Sequence, residues 1–351
     1  MSSNSAAHIK SLDGIRAVAA LIVFIAHAGL DRIVPGGLGV TIFFFLSGYL
    51  ITTLLWLEYS AHGRISLPRF YLRRVYRILP PMYIALAVAA ALAAVAGSLG
   101  AVTRGALLAQ LLQVTNYYTI GAGEQHLVPY TGVMWSLSVE EHFYLLYPLA
   151  LLLMLPRLDR HRIGQLLLGG CALVLGWRCV LTLLLHFGSN YSYMATDARF
   201  DSILYGCAMG MAFNPALGEN SRLSARQWAL ALAGGGALLL LSLLYRDLVF
   251  RDTFRYTIQG IALMPVFYCA VRYPHWRLFR WLEWKLVRGL GVISYTFYLV
   301  HFTMLGLAAR LVGDEGLLRA GVALALAIGF SWLMYVLVER RLGELRRRLH
   351  G

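Results

Sequence analysis

The run Arg16-Ala17-Val18-Ala19-Ala20-Leu21-Ile22-Val23-Phe24-Ile25-Ala26-His27-Ala28-Gly29 is apolar enough to enter a bilayer, yet it opens on an arginine and carries a histidine near its end. Ionisable side chains at bilayer depth are costly and usually face a cavity, so they mark a candidate functional site. Arg16 and His27 are 11 residues apart. At about 100° and 1.5 Å per residue, that is three turns plus about 20°, and about 16 Å along the axis. The two side chains share one helix face and line one cavity without touching.

The rest of the chain repeats this apolar character. Of its 351 residues, 59% are hydrophobic and 14% charged, against about 25% charged in soluble domains. Mean hydropathy is +0.65. Stretches close to the roughly 17 to 25 residues that span a bilayer recur at 15–33, 37–57, 79–97, 137–155, 164–186, 197–213, 228–245, 255–272, 290–311 and 317–337. The expected fold is all-α: a polytopic integral membrane protein of about ten transmembrane helices, with the lipid bilayer as its first partner. An apolar piece at 105–115 is too short to span and reads as re-entrant or interfacial. Neither a repeat nor a linker divides the chain, so residues 1–351 read as one membrane-embedded domain. The first helix lacks a small-residue cleavage site and is expected to be retained.

The net charge of +14 does not imply nucleic acid, because of where the charges fall. With the N-terminus cytoplasmic, 21 of the 31 Lys and Arg lie on the inner side, seven outside and three within spans. That bias is what positive-inside insertion predicts, and it puts the C-terminus inside as well. The four cysteines show no metal-ligand spacing and read as small packing residues, so no metal is expected.

Three further constellations carry chemistry. Val34-Pro35-Gly36-Gly37 reverses the chain, and Ser47-Gly48 lets a neighbouring helix or ligand approach closely. Arg69, Arg73 and Arg77 stand at i, i+4 and i+8, with Arg74 beside them, just before Pro80-Pro81. Such a stripe can snorkel into anionic headgroups, or its rigid forks can hold the phosphates of a cytosolic cofactor. The cavity-lining pair on the first helix favours the second reading. The stretch 98–136 ends in Trp135-Ser136-Leu137-Ser138-Val139-Glu140-Glu141-His142. Adjacent carboxylates diverge by about 100° on a helix, so only one can face a given neighbour. Entering from outside, Glu140 matches the depth of His27 and could orient its imidazole as a base.

Farther along, Arg199 and Asp201 read as a paired charge set, either structural or bounding an acceptor pocket; Arg178 stands isolated. His301 reads as a hydrogen-bonded core residue or as a second histidine lining the site. Trp135 and Glu141 have the same two readings, pocket or structure.

Several of these motifs, in this order, resemble the acyltransferase-3 family of integral membrane acyltransferases. Leu12-Asp13-Gly14-Ile15-Arg16 with His27 resembles its Arg-x10-His motif, and Phe44-Phe45-Leu46-Ser47-Gly48-Tyr49 its second-helix signature. Arg73-Arg74-x2-Arg77-Ile78-x-Pro80 resembles its arginine motif, and Trp135-Ser136-Leu137-Ser138-Val139-Glu140 its fourth-helix motif. Arg199-Phe200-Asp201 and Tyr298-Leu299-x-His301 continue the series. Two departures are Pro81 after Pro80, and His142 where a Gln is expected.

The resemblance implies O-acylation of bacterial surface glycans. The donor would be a cytosolic acyl-CoA, acetyl-CoA first, with no permanently bound cofactor. The acceptor would be a hydroxyl of a glycan or lipid-linked saccharide, at the bacterial cytoplasmic membrane. Many members carry a fused extracytoplasmic hydrolase-like domain; this chain is expected to act without one. His27, Glu140 and Arg16 are the catalytic candidates, and Arg69, Arg73, Arg74 and Arg77 the donor-binding ones. Transfer of another acyl group such as succinyl is the alternative within this class. The competing class is a transporter or flippase, which would predict inverted-repeat symmetry; none is visible in the sequence.

Overall fold

The computed structural model describes residues 9–218, 223–314 and 316–348, and among them every regular element is a helix. Eight helical stretches are long and apolar enough to cross a membrane: Lys10–Leu30, Gly36–His62, Leu67–Val95, Gly132–Met154, Arg160–Leu184, Ala225–Leu244, Ser294–Val312 and Gly316–Leu345. The remaining two expected spans are present as helices of 17 and 18 residues, Thr196–Ala212 and Arg255–Arg272. They are shorter or less apolar for a physical reason. They carry Arg199, Asp201, Ser202, Thr257 and Gln259, all buried among other helices rather than turned to lipid.

In chain order the helices are α1 (Lys10–Ile25), α2 (Gly36–His62), α3 (Leu67–Val95), α4 (Arg104–Leu111), α5 (Thr115–Ala122), α6 (Trp135–Met154), α7 (Arg160–Cys179) and α8 (Ser189–Met194). They continue with α9 (Thr196–Ala212), α10 (Ala225–Leu244), α11 (Leu248–Asp252), α12 (Arg255–Arg272), α13 (Lys285–Val292), α14 (Ser294–Val312), α15 (Gly316–Met334) and α16 (Arg340–Arg348). Helix α3 corrects one boundary. The arginine segment and the third span form one 29-residue helix that continues through Pro80 and Pro81. Prolines inside a membrane helix are tolerated where neighbours help meet the backbone, and the Tyr295 hydroxyl donates to the Ile78 carbonyl at 2.9 Å, just ahead of them.

The helices gather into two compact units. The first comprises the residues up to Ala19, Gly37–Ile65 and Val139–Arg288. There α2 and α9 meet backbone to backbone. A Cβ on Gly48 would lie 2.0 Å from the Ile203 carbonyl oxygen, and one on Gly206 2.0 Å from that of Phe45. Only glycine permits this approach. Helices α7, α9 and α12 are joined by one fully buried guanidinium. Arg178 donates to Asp201 Oδ2 at 2.7 Å, Thr257 Oγ1 at 2.6 Å, the Ala198 carbonyl at 2.7 Å and the Thr253 carbonyl at 2.9 Å.

This network overturns the expected Arg199–Asp201 pair. Residues i and i+2 on a helix diverge by about 200°, so Asp201 turns to α7 while Arg199 turns to α2. Arg199 lies over the Tyr256 ring at 3.8 Å and donates to Thr41 Oγ1 at 3.0 Å and to the Tyr193 carbonyl at 3.2 Å. Arg178, isolated in the sequence, is the residue that receives the carboxylate.

The second unit comprises Ala20–Gly36, Ser66–Ser138 and the residues from Gly289 onward. Helix α14 packs against α15 and α3. The stretch 98–136 folds rather than looping freely: Thr103 caps α4 by accepting from Ala106 N at 3.2 Å. Buried Gln110 donates to Thr131 Oγ1 at 2.6 Å and accepts from Val128 N at 3.3 Å. The short apolar piece expected at 105–115 is α4 and its exit, which expose Leu107, Leu108, Leu111 and Leu112.

Truncating Asp201 to Ala strands the Arg178 charge. Removing one partner of a buried pair costs about 3–5 kcal/mol. Asp201→Ala is therefore expected to lower the thermal unfolding midpoint sharply, and an Arg178→Met/Asp201→Ala double variant to lose less than the two singles combined.

Candidate active site

The regular turns of α1 end at Ile25, and a π turn, Ala26–Leu30, carries the chain onward. Such wide turns leave backbone groups unmet and frequently coincide with functional sites. Gly29 closes this one at φ 110°, a conformation open chiefly to glycine. The Ala28 carbonyl accepts from Arg319 at 3.4 Å. His27 sits in this turn with its side chain exposed. The 100° count from Arg16 therefore holds only to Ile25, and the wider turn sets the final direction of the imidazole.

The hydrogen-bond partner of His27 is His301, at 2.8 Å from Nδ1 to Nε2. The ring planes differ by 19° with centroids 5.1 Å apart, the geometry of two imidazoles joined edge to edge. The sequence put Glu140 in this role. His301 is buried, and its Nδ1 lies 2.6 Å from the Tyr298 carbonyl oxygen. A carbonyl can only accept, so His301 Nδ1 carries the proton, and in the neutral ring Nε2 holds the lone pair. The bond between the rings then requires His27 Nδ1 to donate. His27 Nε2 is left as an unprotonated nitrogen on an exposed ring. Tyr298 is fixed in turn by Ser136 Oγ at 2.7 Å and the Val133 carbonyl at 3.2 Å. The Phe302 ring stacks on His27 with centroids 5.1 Å apart.

Helix α14 also relates this dyad to the arginine segment. Tyr295 meets Ile78, the residue after Arg77, and six residues later His301 meets His27. Six residues of helix are about 9 Å of axis. On α3, Arg69 is exposed and Arg73, Arg74 and Arg77 are half-buried, with the Arg74 guanidinium 5.5 Å from the Phe70 ring centroid.

The other candidates lie as follows. Arg16 is half-buried on α1, 3.5 Å from Asp13 Oδ1. Glu140 accepts from Ser47 Oγ at 2.9 Å and from the Tyr144 hydroxyl at 3.0 Å. Glu141 is half-buried, Trp135 is buried at the start of α6, and His142 bonds Thr196 Oγ1 at 2.7 Å. Arg199 and Asp201 are fully enclosed. Sequence reasoning missed Phe302 and Arg319. Position 302, next to His301, offered a weak signal; contacts made by residues hundreds of positions apart offered none.

Comparison with known proteins gives the family. A family model described as an acyltransferase domain matches residues 9–336. This chain belongs to the acyltransferase-3 family. It is similar to a Staphylococcus aureus (strain COL) protein provisionally named an O-acetyltransferase, at 27% identity over 95% of this chain and 57% of that protein. It is also similar to the O-acetyltransferase OatA of Staphylococcus aureus (strain NCTC 8325 / PS 47), at 29% identity over 85% of this chain and 51% of OatA. The chain thus spans a little over half the length of these relatives. No solved structure matches it.

The tautomer chain has a direct readout. In histidine-labelled protein, nitrogen NMR is expected to show His27 protonated at Nδ1 and bare at Nε2, with this preference lost in His301→Phe. Protonation of His27 at Nε2 in the parent would overturn the assignment.

Proposed function

We propose that the chain is a multi-pass O-acyltransferase of the bacterial cytoplasmic membrane, with both termini inside. It would move an acyl group, acetyl first, from cytosolic acyl-CoA to a hydroxyl of a cell-surface or exported carbohydrate. One observation carries this reading: the Tyr298 carbonyl and His301 hold His27 with an open Nε2 lone pair, which is a general base already in its working tautomer. The acceptor hydroxyl gives its proton to His27 Nε2 while its oxygen attacks the thioester carbonyl. Collapse of the tetrahedral intermediate breaks the C–S bond, and the sulfur of CoA leaves with the electron pair, taking up the proton from His27. His301 steadies the transient imidazolium through the ring-to-ring bond, as an orienting third group does in hydrolase triads.

Arg69, Arg73, Arg74 and Arg77 hold the phosphates of the donor, since guanidinium forks match phosphate oxygens. The pantetheine arm then follows α14 from the Tyr295–Ile78 contact toward the dyad. Glu140, held by Ser47 and Tyr144, is a carboxylate whose contribution Glu140→Gln isolates.

The decisive test is transfer of radiolabelled acetyl from acetyl-CoA to crude cell-envelope glycan by detergent-purified protein. Loss of a general base costs on the order of 10² to 10⁴ in rate, so His27→Ala is expected to lose nearly all transfer while inserting normally. Full turnover by folded His27→Ala would sink the assignment. CoA is expected to raise the thermal midpoint of the parent and to do so much less in Arg73→Ala/Arg77→Ala. A carrier of unrelated solutes would show no CoA shift at all.

A further inference from the structure

Tyr130 has its backbone at φ 61°, in the left-handed region. That conformation is uncommon outside glycine and unusual for a bulky aromatic residue, and such strain gathers at functional sites. The surroundings hold it there. A Cβ on Gly306 of α14 would lie 2.5 Å from the Tyr130 ring, so the glycine lets the ring lie directly against the helix backbone. Thr303 Oγ1 reaches the Tyr130 carbonyl at 3.4 Å. The Tyr130 ring meets Phe302 edge to face, with centroids 5.6 Å apart and planes at 87°. Phe302 is the ring stacked on His27.

The fold therefore strains a backbone and reserves a glycine to fix one aromatic ring two ring contacts from the base. If its purpose were core packing, the residue would be enclosed; it is instead 40% exposed. The same loop brings the exposed Glu124 carboxylate against Gly132, where a Cβ would lie 2.7 Å from Glu124 Oε2. Partial loss of its water shell there lifts the Glu124 carboxyl above its ordinary range. Gly132, which Glu124 approaches, is two residues from Tyr130 in the chain, so one loop carries an aromatic ring and a carboxylate. That pairing suits a sugar, whose ring offers C–H groups on one face and hydroxyls around its rim. An acyl chain would call for a continuous apolar lining instead.

We propose that Tyr130 is the platform on which a saccharide ring of the acceptor stacks, with Glu124 accepting from its hydroxyls, so that one hydroxyl is presented to His27 Nε2. This rests on the acyltransferase reading and adds the acceptor subsite to it.

Binding separates the two. The probe is crude cell-envelope glycan, added to purified protein, and the readout is the thermal unfolding midpoint with and without it. CoA is added to parallel samples as the test of the donor reading alone. Tyr130→Gly removes the ring and adopts the positive φ without strain, so the loop keeps its conformation, and each variant's shift is read against its own unliganded midpoint. Glycan is expected to stabilise the parent and Tyr130→Trp, and to leave Tyr130→Gly unshifted, while CoA stabilises all three. In transfer assays Tyr130→Gly is expected to raise the KM for glycan on the order of tenfold, with the KM for acetyl-CoA unchanged. A glycan shift equal in parent and Tyr130→Gly, or no glycan shift in the parent, would overturn the platform. Loss of the CoA shift in the parent would instead overturn the donor reading.

Discussion

A hydrocarbon surrounding offers a polar side chain no partner, so a polar group carried into this bundle is costly unless another group of the protein meets it. That constraint organises the molecule. Arg178 is met by Asp201, Thr257 and two backbone carbonyls. The Glu140 carboxylate is met by two hydroxyls, Ser47 and Tyr144. His301 is met by the Tyr298 carbonyl on one side and His27 on the other. Each arrangement ties elements distant in sequence. The same requirement that makes the fold specific also positions the ionisable groups.

Among these, the histidine chain is the one left open at an end. Arg178 and Asp201 are enclosed, and a charge held that way has fixed partners and no room for a substrate. His27 stands on an exposed π turn, with one ring nitrogen committed inward to His301. Burial of His301 and exposure of His27 give the dyad a direction. Its inner nitrogens fix the tautomer, and the outer nitrogen is available for chemistry.

Helix α14 emerges as the element around which the second unit's chemistry is arranged. Along it, Tyr295 reaches α3 beside the arginine segment, His301 reaches His27, Phe302 lies on the His27 ring, and Gly306 receives Tyr130. A rigid helix carrying four contacts in 12 residues keeps them in register. The proposed donor positioning, base and acceptor platform would then share one frame of reference.

Much of this was legible in the chain itself. Long apolar runs announce membrane helices because the bilayer's thickness is a fixed ruler, and a histidine within such a run announces a site because it is costly there. The helices at 197–213 and 255–272 had a weaker signal, since their polar residues face protein rather than lipid. The family motifs were readable because their spacing is local. The pairing of polar groups was not. Two neighbours in sequence, Arg199 and Asp201, turn out to face different helices, and Asp201 belongs to Arg178 of α7. His27 answers to a residue 274 positions away, and Tyr130 to a glycine on α14. Sequence alone determined which segments enter the membrane and which ionisable groups they carry, because transfer from water to hydrocarbon acts residue by residue. Tertiary structure alone decided which group meets which, because a hydrogen bond depends on angstrom-scale distances between chain segments that no linear spacing records.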